Sequence, residues 1–149
     1  MNKFWIKILL LFLLFQVNDG YTQNNYLNKL NSKQKNSAAR NVFGDIENLI
    51  VKGDVAGLSK YLSGQTYLSL SNGKTGYYSV NQAYYVLEDF FTIYKVNNFR
   101  FDNLNASGPN PYATGTYAYS SKGKRSAAQV YISLKGSGTN WKITQITFN

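Results

Sequence analysis

The chain of 149 residues contains no cysteine and no histidine. These absences exclude disulfide bonds and a cysteine nucleophile, and they remove the side chains that most often bind zinc or copper. We therefore expect neither a metal nor another cofactor. Without histidine, the serines lack the imidazole partner of a hydrolase triad, and the commonest general base is missing.

Acidic residues are also scarce, with 7 Asp and Glu against 16 Lys and Arg, which gives a net charge of +9. Such a surplus favours anionic partners, such as an acidic glycan or an anionic surface, although it also serves solubility. Hydrophobic residues make up 44% of the chain and charged residues 15%, so the chain can bury the core of one domain.

The N-terminus has the features of a targeting segment. Lys3 and Lys7 precede the apolar run Ile8 to Phe15, which is too short to cross a bilayer, and the chain becomes polar up to Gly20. These features predict a signal peptide over residues 1–20 and export to the periplasm or the cell exterior. An uncleaved membrane anchor is the alternative, and export disfavours nucleic acid as a partner.

The residues after the signal peptide divide into a polar, flexible lead-in over residues 21–36 and a single domain over residues 37–149. Apolar spacing predicts a first helix from Ser37 to Lys52, ended by Gly53 in the left-handed conformation. Asp54 can cap a second, short helix.

A further helix is predicted where Ser79 and Gln82 have the spacing of a capping box. Alternating apolar residues and tight turns predict neighbouring antiparallel strands. These strands cover residues 65–70, 99–105, 112–120, 125–134 and 141–148. Helices before a meandering sheet indicate an α+β fold, with two to three N-terminal helices packed on an antiparallel sheet.

The last strand has apolar residues on both of its faces. Trp141 and Ile143 oppose Ile146 and Phe148, unless a bulge reverses the alternation between them. A sheet that is apolar on both faces needs two covers, and a second subunit could supply the outer one. The pattern therefore leaves a homodimer open.

Two segments resemble a known family. Residues 50–62 match a hydrophobic-x-x-G-D-x-x-x-L-S-x-Y pattern, and residues 76–91 match G-x-Y-S-x-x-Q-A-x-x-V-L-x-D-F-F. Both patterns are typical of short exported Bacteroidota proteins of unknown function. That family is similar to the nuclear transport factor two-like (SnoaL-like) superfamily, and the resemblance covers Val42 to Asn149.

The resemblance implies a cystatin-like cone, in which helices pack in a strongly curved sheet and often leave a pocket. Relatives in the superfamily include isomerases, dehydratases and non-catalytic domains, so the fold alone does not select a function. Ketosteroid isomerase-like members use an aspartate on a strand as the base.

Asp102 is accordingly the one candidate for a catalytic residue. Strand alternation puts it on the same side as Arg100 and opposite Phe99 and Phe101. If the phenylalanines face the core, Asp102 faces water beside a cation, which favours a structural ion pair over a general base.

The chain is rich in aromatic side chains that suit sugars, aromatic ligands or proteins. We expect ligand contacts from Tyr84, Phe101, Tyr117, Tyr131 and Trp141, and an anion patch from Lys122, Lys124 and Arg125. The sequence therefore favours non-catalytic binding of a small ligand or a protein partner. A small isomerase- or lyase-like enzyme that uses Asp102 in a cone pocket and a homodimeric structural module are the alternatives.

Overall fold

The computed structural model describes residues 19–138 and 140–149. Residues 1–18 of the predicted signal peptide lie outside the described residues. Within the described ranges, no helix is both long enough and apolar enough to cross a membrane.

The described chain contains three helices and six strands. The helices are α1 (Asp19–Lys52), α2 (Val55–Ser59) and α3 (Val80–Ile93). The strands are β1 (Leu62–Leu70), β2 (Thr75–Ser79), β3 (Lys95–Asn105), β4 (Tyr112–Ser121), β5 (Lys124–Ser137) and β6 (Asn140–Phe148).

The chain forms two compact units, which divide between Gln34 and Lys35. The described part of the first unit is helical, and its side chains from residue 24 to residue 34 are all exposed. These residues belong to the predicted lead-in, which the structure assigns to α1. The second unit, residues 35–149, contains the sheet and the remaining helices.

The six strands form one curved sheet in the order β2-β1-β6-β5-β4-β3. Neighbouring strands are antiparallel except for β1 and β6, which run parallel. This parallel pair brings β1, the first strand along the chain, next to β6, the last one. The α+β fold with helices on a curved sheet is thereby confirmed.

A bulge in β6 reverses the alternation of its side chains. Ser133 pairs with Gln145 and Leu134 pairs with Ile143, so Thr144 is the extra residue on β6. As a result, the apolar residues on both sides of the bulge are buried on the same face, namely Trp141, Ile143, Ile146 and Phe148. The sheet therefore has one apolar face, here called the inner face, and one polar face, here called the outer face.

The helices of the second unit cover the inner face. Phe43 on α1 packs edge-on against Phe101 on β3, with ring centroids 5.6 Å apart. Phe90 on α3 packs against Phe148 on β6 at 4.8 Å. Burial of large aromatic and aliphatic side chains is the main stabilising contribution in a chain that has no disulfide bond.

The helix ends follow the capping residues predicted from the sequence. Gly53 adopts a φ of 64° after α1, and the Asp54 carboxylate accepts a hydrogen bond of 2.8 Å from the Gly57 N–H. Ser79 and Gln82 form the capping box at the start of α3. The main element that the sequence did not predict is β2, a five-residue edge strand with alternating exposed and half-buried side chains.

The edge strand β3 is irregular and is tied to α1. Its pairing with β4 shifts register twice, between Val96 and Asn98 and between Phe101 and Asn103. At the second shift, the Glu47 carboxylate of α1 accepts a hydrogen bond of 2.6 Å from the Phe101 N–H. The Glu47 carboxylate thus satisfies a backbone N–H of the edge strand.

We predict that two glycine-to-alanine substitutions change stability in opposite directions. A Cβ at Gly115 would overlap the Arg100 carbonyl oxygen and lie 2.9 Å from the Phe101 Cα, whereas Gly44 on α1 has open space around it. Gly115→Ala should lower the free energy of unfolding by about 1–3 kcal/mol through overpacking. Gly44→Ala should raise it by about 0.5–1 kcal/mol through helix propensity. Urea denaturation of both variants tests this, and equal effects would contradict the described packing.

Candidate functional site

The space between the helices and the sheet is filled by aromatic side chains. The rings of Phe90, Tyr117 and Phe148 lie 4.8 to 6.2 Å from one another, and Phe91 and Phe99 also contact Tyr117. Tyr117 is fully buried, and its hydroxyl donates a hydrogen bond of 2.6 Å to the Tyr94 carbonyl oxygen. This part of the cone is a packed core.

The structure does not bring together the five aromatic residues predicted to contact a ligand. Tyr117 and Trp141 are buried in the core and Phe101 is half-buried on the inner face. Tyr131 lies on the outer face, and Tyr84 lies on the exposed side of α3. A shared ligand contact stays a prediction for these residues, and it would require the core to open.

Trp141 is the core residue with an unusual polar environment. Its side chain is buried, and its indole N–H has no hydrogen-bond partner within the described residues. The Lys35 ammonium lies 5.3 Å from the centroid of its ring, close enough for a cation–π contact.

Asp102, the candidate for a catalytic base, lies on the outer face. Its carboxylate accepts hydrogen bonds from Arg100 at 3.3 Å and from the Thr116 hydroxyl at 2.9 Å. The Arg100 side chain is 76% exposed, so the pair is screened by water. The arrangement is that of a surface ion pair on an edge strand, and a catalytic role for Asp102 stays a prediction.

Four further carboxylates act as acceptors within the fold. Glu47 binds the β3 backbone and Asp54 caps α2, as described above. Asp45 accepts a hydrogen bond of 2.9 Å from the Tyr61 hydroxyl. Glu88 accepts one of 3.0 Å from the Tyr84 hydroxyl. Each of these carboxylates therefore has a structural partner.

Tyr84 borders an open cleft of about 440 Å³ beside α3. Lys52, Lys95, Asp54 and Glu88 also line this cleft, so charges of both signs are mixed there. The hydrogen bond to the Glu88 carboxylate raises the pKa of the Tyr84 hydroxyl above its usual value of 10.0, so the hydroxyl stays protonated at neutral pH.

The predicted anion patch lies at the tip of the hairpin between β4 and β5. Lys122 and Gly123 form its turn with positive φ angles of 50° and 76°, and Lys122, Lys124 and Arg125 are all exposed. The structure brings these three cations together at one end of the sheet, and anion binding by them stays a prediction.

The outer face carries a row of polar and aromatic side chains that crosses five strands. The pairing registers align these residues from β2 to β4. The row, here called the tyrosine row, consists of Tyr77, Tyr67, Gln145, Ser133 and Tyr112. Ser133 is its buried member, and its hydroxyl shares a hydrogen bond of 3.0 Å with the Thr144 hydroxyl. From β1 to β4 it spans three strand spacings, or about 14 Å.

Aromatic pairs stand at both ends of the tyrosine row. The rings of Tyr67 and Tyr77 meet edge-on, with centroids 5.2 Å apart. Tyr112 stacks on Tyr131 of the neighbouring row at 5.7 Å. Tyr77 is 72% exposed and Tyr112 is 38% exposed, so rings at both ends are open to solvent.

A groove of about 500 Å³ lies at the β2, β1 and β6 end of the tyrosine row. It is lined by Gln65, Tyr67, Tyr77, Thr144 and Gln145, none of which is charged. The bulge at Thr144 contributes to this surface, because it turns Thr144 and Gln145 toward the outer face.

The ligand contacts predicted from the sequence include no member of the tyrosine row, since they include Tyr131 of the neighbouring row but not Tyr67, Tyr77 or Tyr112. One signal was present, because Tyr67 alternates with the apolar residues of β1 and must point away from the core. The pairing that aligns it with Gln145 is parallel and joins distant parts of the chain. No local pattern contains that information.

We predict that the protein loses stability in alkaline solution through Tyr117. Burial raises the pKa of the Tyr117 hydroxyl far above its usual value of 10.0, so above that pH the unfolded chain releases a proton that the folded chain keeps. The contribution of Tyr117 is therefore complete below pH 10, and it decreases by about 1.4 kcal/mol for each further pH unit.

Denaturation midpoints measured from neutral to alkaline pH test this prediction. Tyr117→Phe should reduce the alkaline loss, although it removes the hydrogen bond to Tyr94 and lowers stability at neutral pH by about 0.5–1.5 kcal/mol. Tyr85→Phe is the control, because Tyr85 is 65% exposed on α3. An alkaline slope that Tyr117→Phe leaves unchanged would contradict the assignment.

Comparison with known proteins identifies relatives of the same fold. A DUF4783 protein from Bacteroides ovatus is 22% identical over 70% of this chain and 90% of its own, with a TM-score of 0.61. A DUF4783 protein from Bacteroides uniformis is 18% identical over 71% of this chain and 94% of its own, with a TM-score of 0.64.

A more distant structure extends the likeness. A hypothetical protein from Catenulispora acidiphila, with a ketosteroid isomerase-like fold and in complex with trimethylamine, is 12% identical over 72% of this chain and 83% of its own, with a TM-score of 0.58. The fold is therefore nuclear transport factor two-like. No protein of curated function matches this chain.

The sequence match is decisive for the family. The family model described as "Domain of unknown function (DUF4783)" matches residues 43–149, which include most of the second unit. The chain therefore belongs to the DUF4783 family.

Proposed function

We propose that the protein is an exported, non-catalytic binding domain that recognises its partner with the outer face of the sheet. The observation that carries the proposal is the tyrosine row, which has exposed rings at both ends and an uncharged groove of rings, amides and a hydroxyl on β2, β1 and β6. Tyrosine rings give contact area at little cost in conformational entropy, and amides and hydroxyls supply hydrogen bonds.

The packing of the core supports binding outside rather than inside the cone. The large rings of Phe90, Tyr117 and Phe148 contact one another in the interior. Five of the carboxylates, including Asp102, accept hydrogen bonds from other parts of the fold. No observation in the described residues favours the alternative of an enzyme that uses Asp102.

The homodimer was inferred from a feature of the last strand that the structure does not reproduce. That inference required apolar residues on both faces of the last strand, but the bulge at Thr144 directs all four of them to the inner face. The outward residues of β6 include Lys142, Gln145 and Thr147, which do not make an apolar interface. Self-association is therefore an outcome to be measured rather than part of the proposal.

We predict that ligands perturb the outer face and not the core. The purified, isotope-labelled protein is titrated with mixtures of soluble oligosaccharides, amino acids and nucleotides, and its backbone amide resonances are followed. Resonances of Tyr67, Tyr77 and Gln145 should shift, whereas those of Phe90 and Tyr117 should not. Shifts confined to the core, or turnover of a compound that Asp102→Asn abolishes, would contradict the proposal.

We also predict that export removes the N-terminal segment. Mass spectrometry of the protein recovered from outside the cytoplasm should give an N-terminus close to Tyr21, because the apolar run before it is short and preceded by two lysines. Leu10→Arg should block export by placing a charge in that run. An exported protein that retains Met1 in the membrane fraction would instead support the uncleaved anchor.

A further inference from the structure

The strands of the sheet have a strongly one-sided charge. The six strands carry six basic residues and one acidic residue, and that acid, Asp102, is already paired with Arg100. The basic residues are Lys95, which lines the cleft beside α3, Lys124 and Arg125 at the hairpin tip, and Arg100, Lys135 and Lys142 on the outer face. A ligand on this sheet therefore meets a positive field that the described strands do not neutralise.

Two of these cations stand opposite each other beside the tyrosine row. Lys135 on β5 pairs directly with Lys142 on β6, two positions along β5 from Ser133, or about 7 Å. We call Lys135 and Lys142 the lysine pair. Like charges directly opposite on a sheet destabilise it, and the described strands carry no acidic side chain next to this pair.

Lys142 lies near the groove along β6. The Lys142 ammonium donates a hydrogen bond of 2.6 Å to the Lys60 carbonyl oxygen, which directs it toward the start of β1. Thr144, two residues along β6 from Lys142, lines the groove together with Gln65 of β1. The tyrosine row and the lysine pair thus lie on the same face of neighbouring strands.

We propose that this surface binds an oligosaccharide whose rings carry carboxylate groups, such as an oligouronate. The inference rests on the proposed function and names its ligand class. A pyranose ring presents a flat C–H face that suits the Tyr77 and Tyr67 rings, and its hydroxyls suit the Gln65 and Gln145 amides that line the groove. The carboxylates face the lysine pair, where a lysine acts as a point charge.

A second copy of the chain fits this surface less well. A two-fold dimer places the same patch on both subunits, so the lysine pair of one copy would approach that of the other. The outward residues between the tyrosines are amides and hydroxyls, and Lys135 is fully exposed at the margin. Charge complementarity therefore favours an anionic ligand over self-association.

The test is isothermal titration of the purified protein with oligogalacturonate at constant ionic strength. The matched probe is the same oligomer as its methyl ester, which keeps the rings and removes the charge. We expect the acid form to bind and the ester to bind at least about tenfold more weakly. Equal affinities would overturn the role of the lysine pair, and no binding of either form would overturn the proposal.

Two matched pairs of variants locate the site. Tyr77→Ser should weaken binding at least about tenfold, whereas Tyr85→Ser, which removes a similarly exposed ring from α3, should not. Lys135→Gln should weaken binding, whereas Lys52→Gln, which removes the same charge from an exposed position at the end of α1, should not. Equal losses of affinity within either pair would show that total charge or tyrosine content governs binding, and would overturn the assignment of the site to this surface.

Sedimentation of the same variants tests whether a second copy of the chain occupies this surface instead. A wild-type dimer that Tyr77→Ser dissociates would assign the surface to a second copy and overturn the inference. The inference also fails, while the proposed function stands, if a different compound shifts the resonances of Tyr67 and Gln145 and oligogalacturonate does not. If no compound shifts them, both fail.

Discussion

The bulge at Thr144 is the constraint on which the rest of the sheet depends. A strand without it would point Trp141 and Ile143 away from the side occupied by Ile146 and Phe148, because side chains alternate strictly along a strand. The extra residue restores a single apolar side, which the helices can cover. The same shift leaves amides, hydroxyls and lysines on the opposite side, so one local irregularity defines both the core and the surface available for recognition.

The parts of the fold that the sequence predicted well are those that local chemistry determines. The capping box that begins with Ser79, the left-handed Gly53 and the apolar face of β5 each depend on residues close together in the chain. The possibility of a bulge in β6 was also visible, because only a bulge reconciles its two apolar halves. By contrast, β2 is short and exposed, and it forms by pairing with β1 rather than by burial.

The tyrosine row was harder to predict, because it exists only through pairing. Tyr67, Gln145 and Ser133 are far apart in the chain, and two registers bring them side by side. The aromatic residues chosen from the sequence were those of apolar segments, which is why Tyr117 and Trp141 proved to be core residues. Composition predicts an excess of tyrosine and of positive charge, but it does not predict where on the sheet either of them lies.

The irregular edge at β3 has a consequence for a domain whose sequence contains no cysteine for disulfide bonds. An open sheet edge is a template onto which strands of other molecules can add, and this leads to aggregation. The two register shifts in β3, the exposed Arg100 and the Glu47 carboxylate on the Phe101 N–H all interrupt that template. The edge strand is therefore a poor partner for a strand from another molecule.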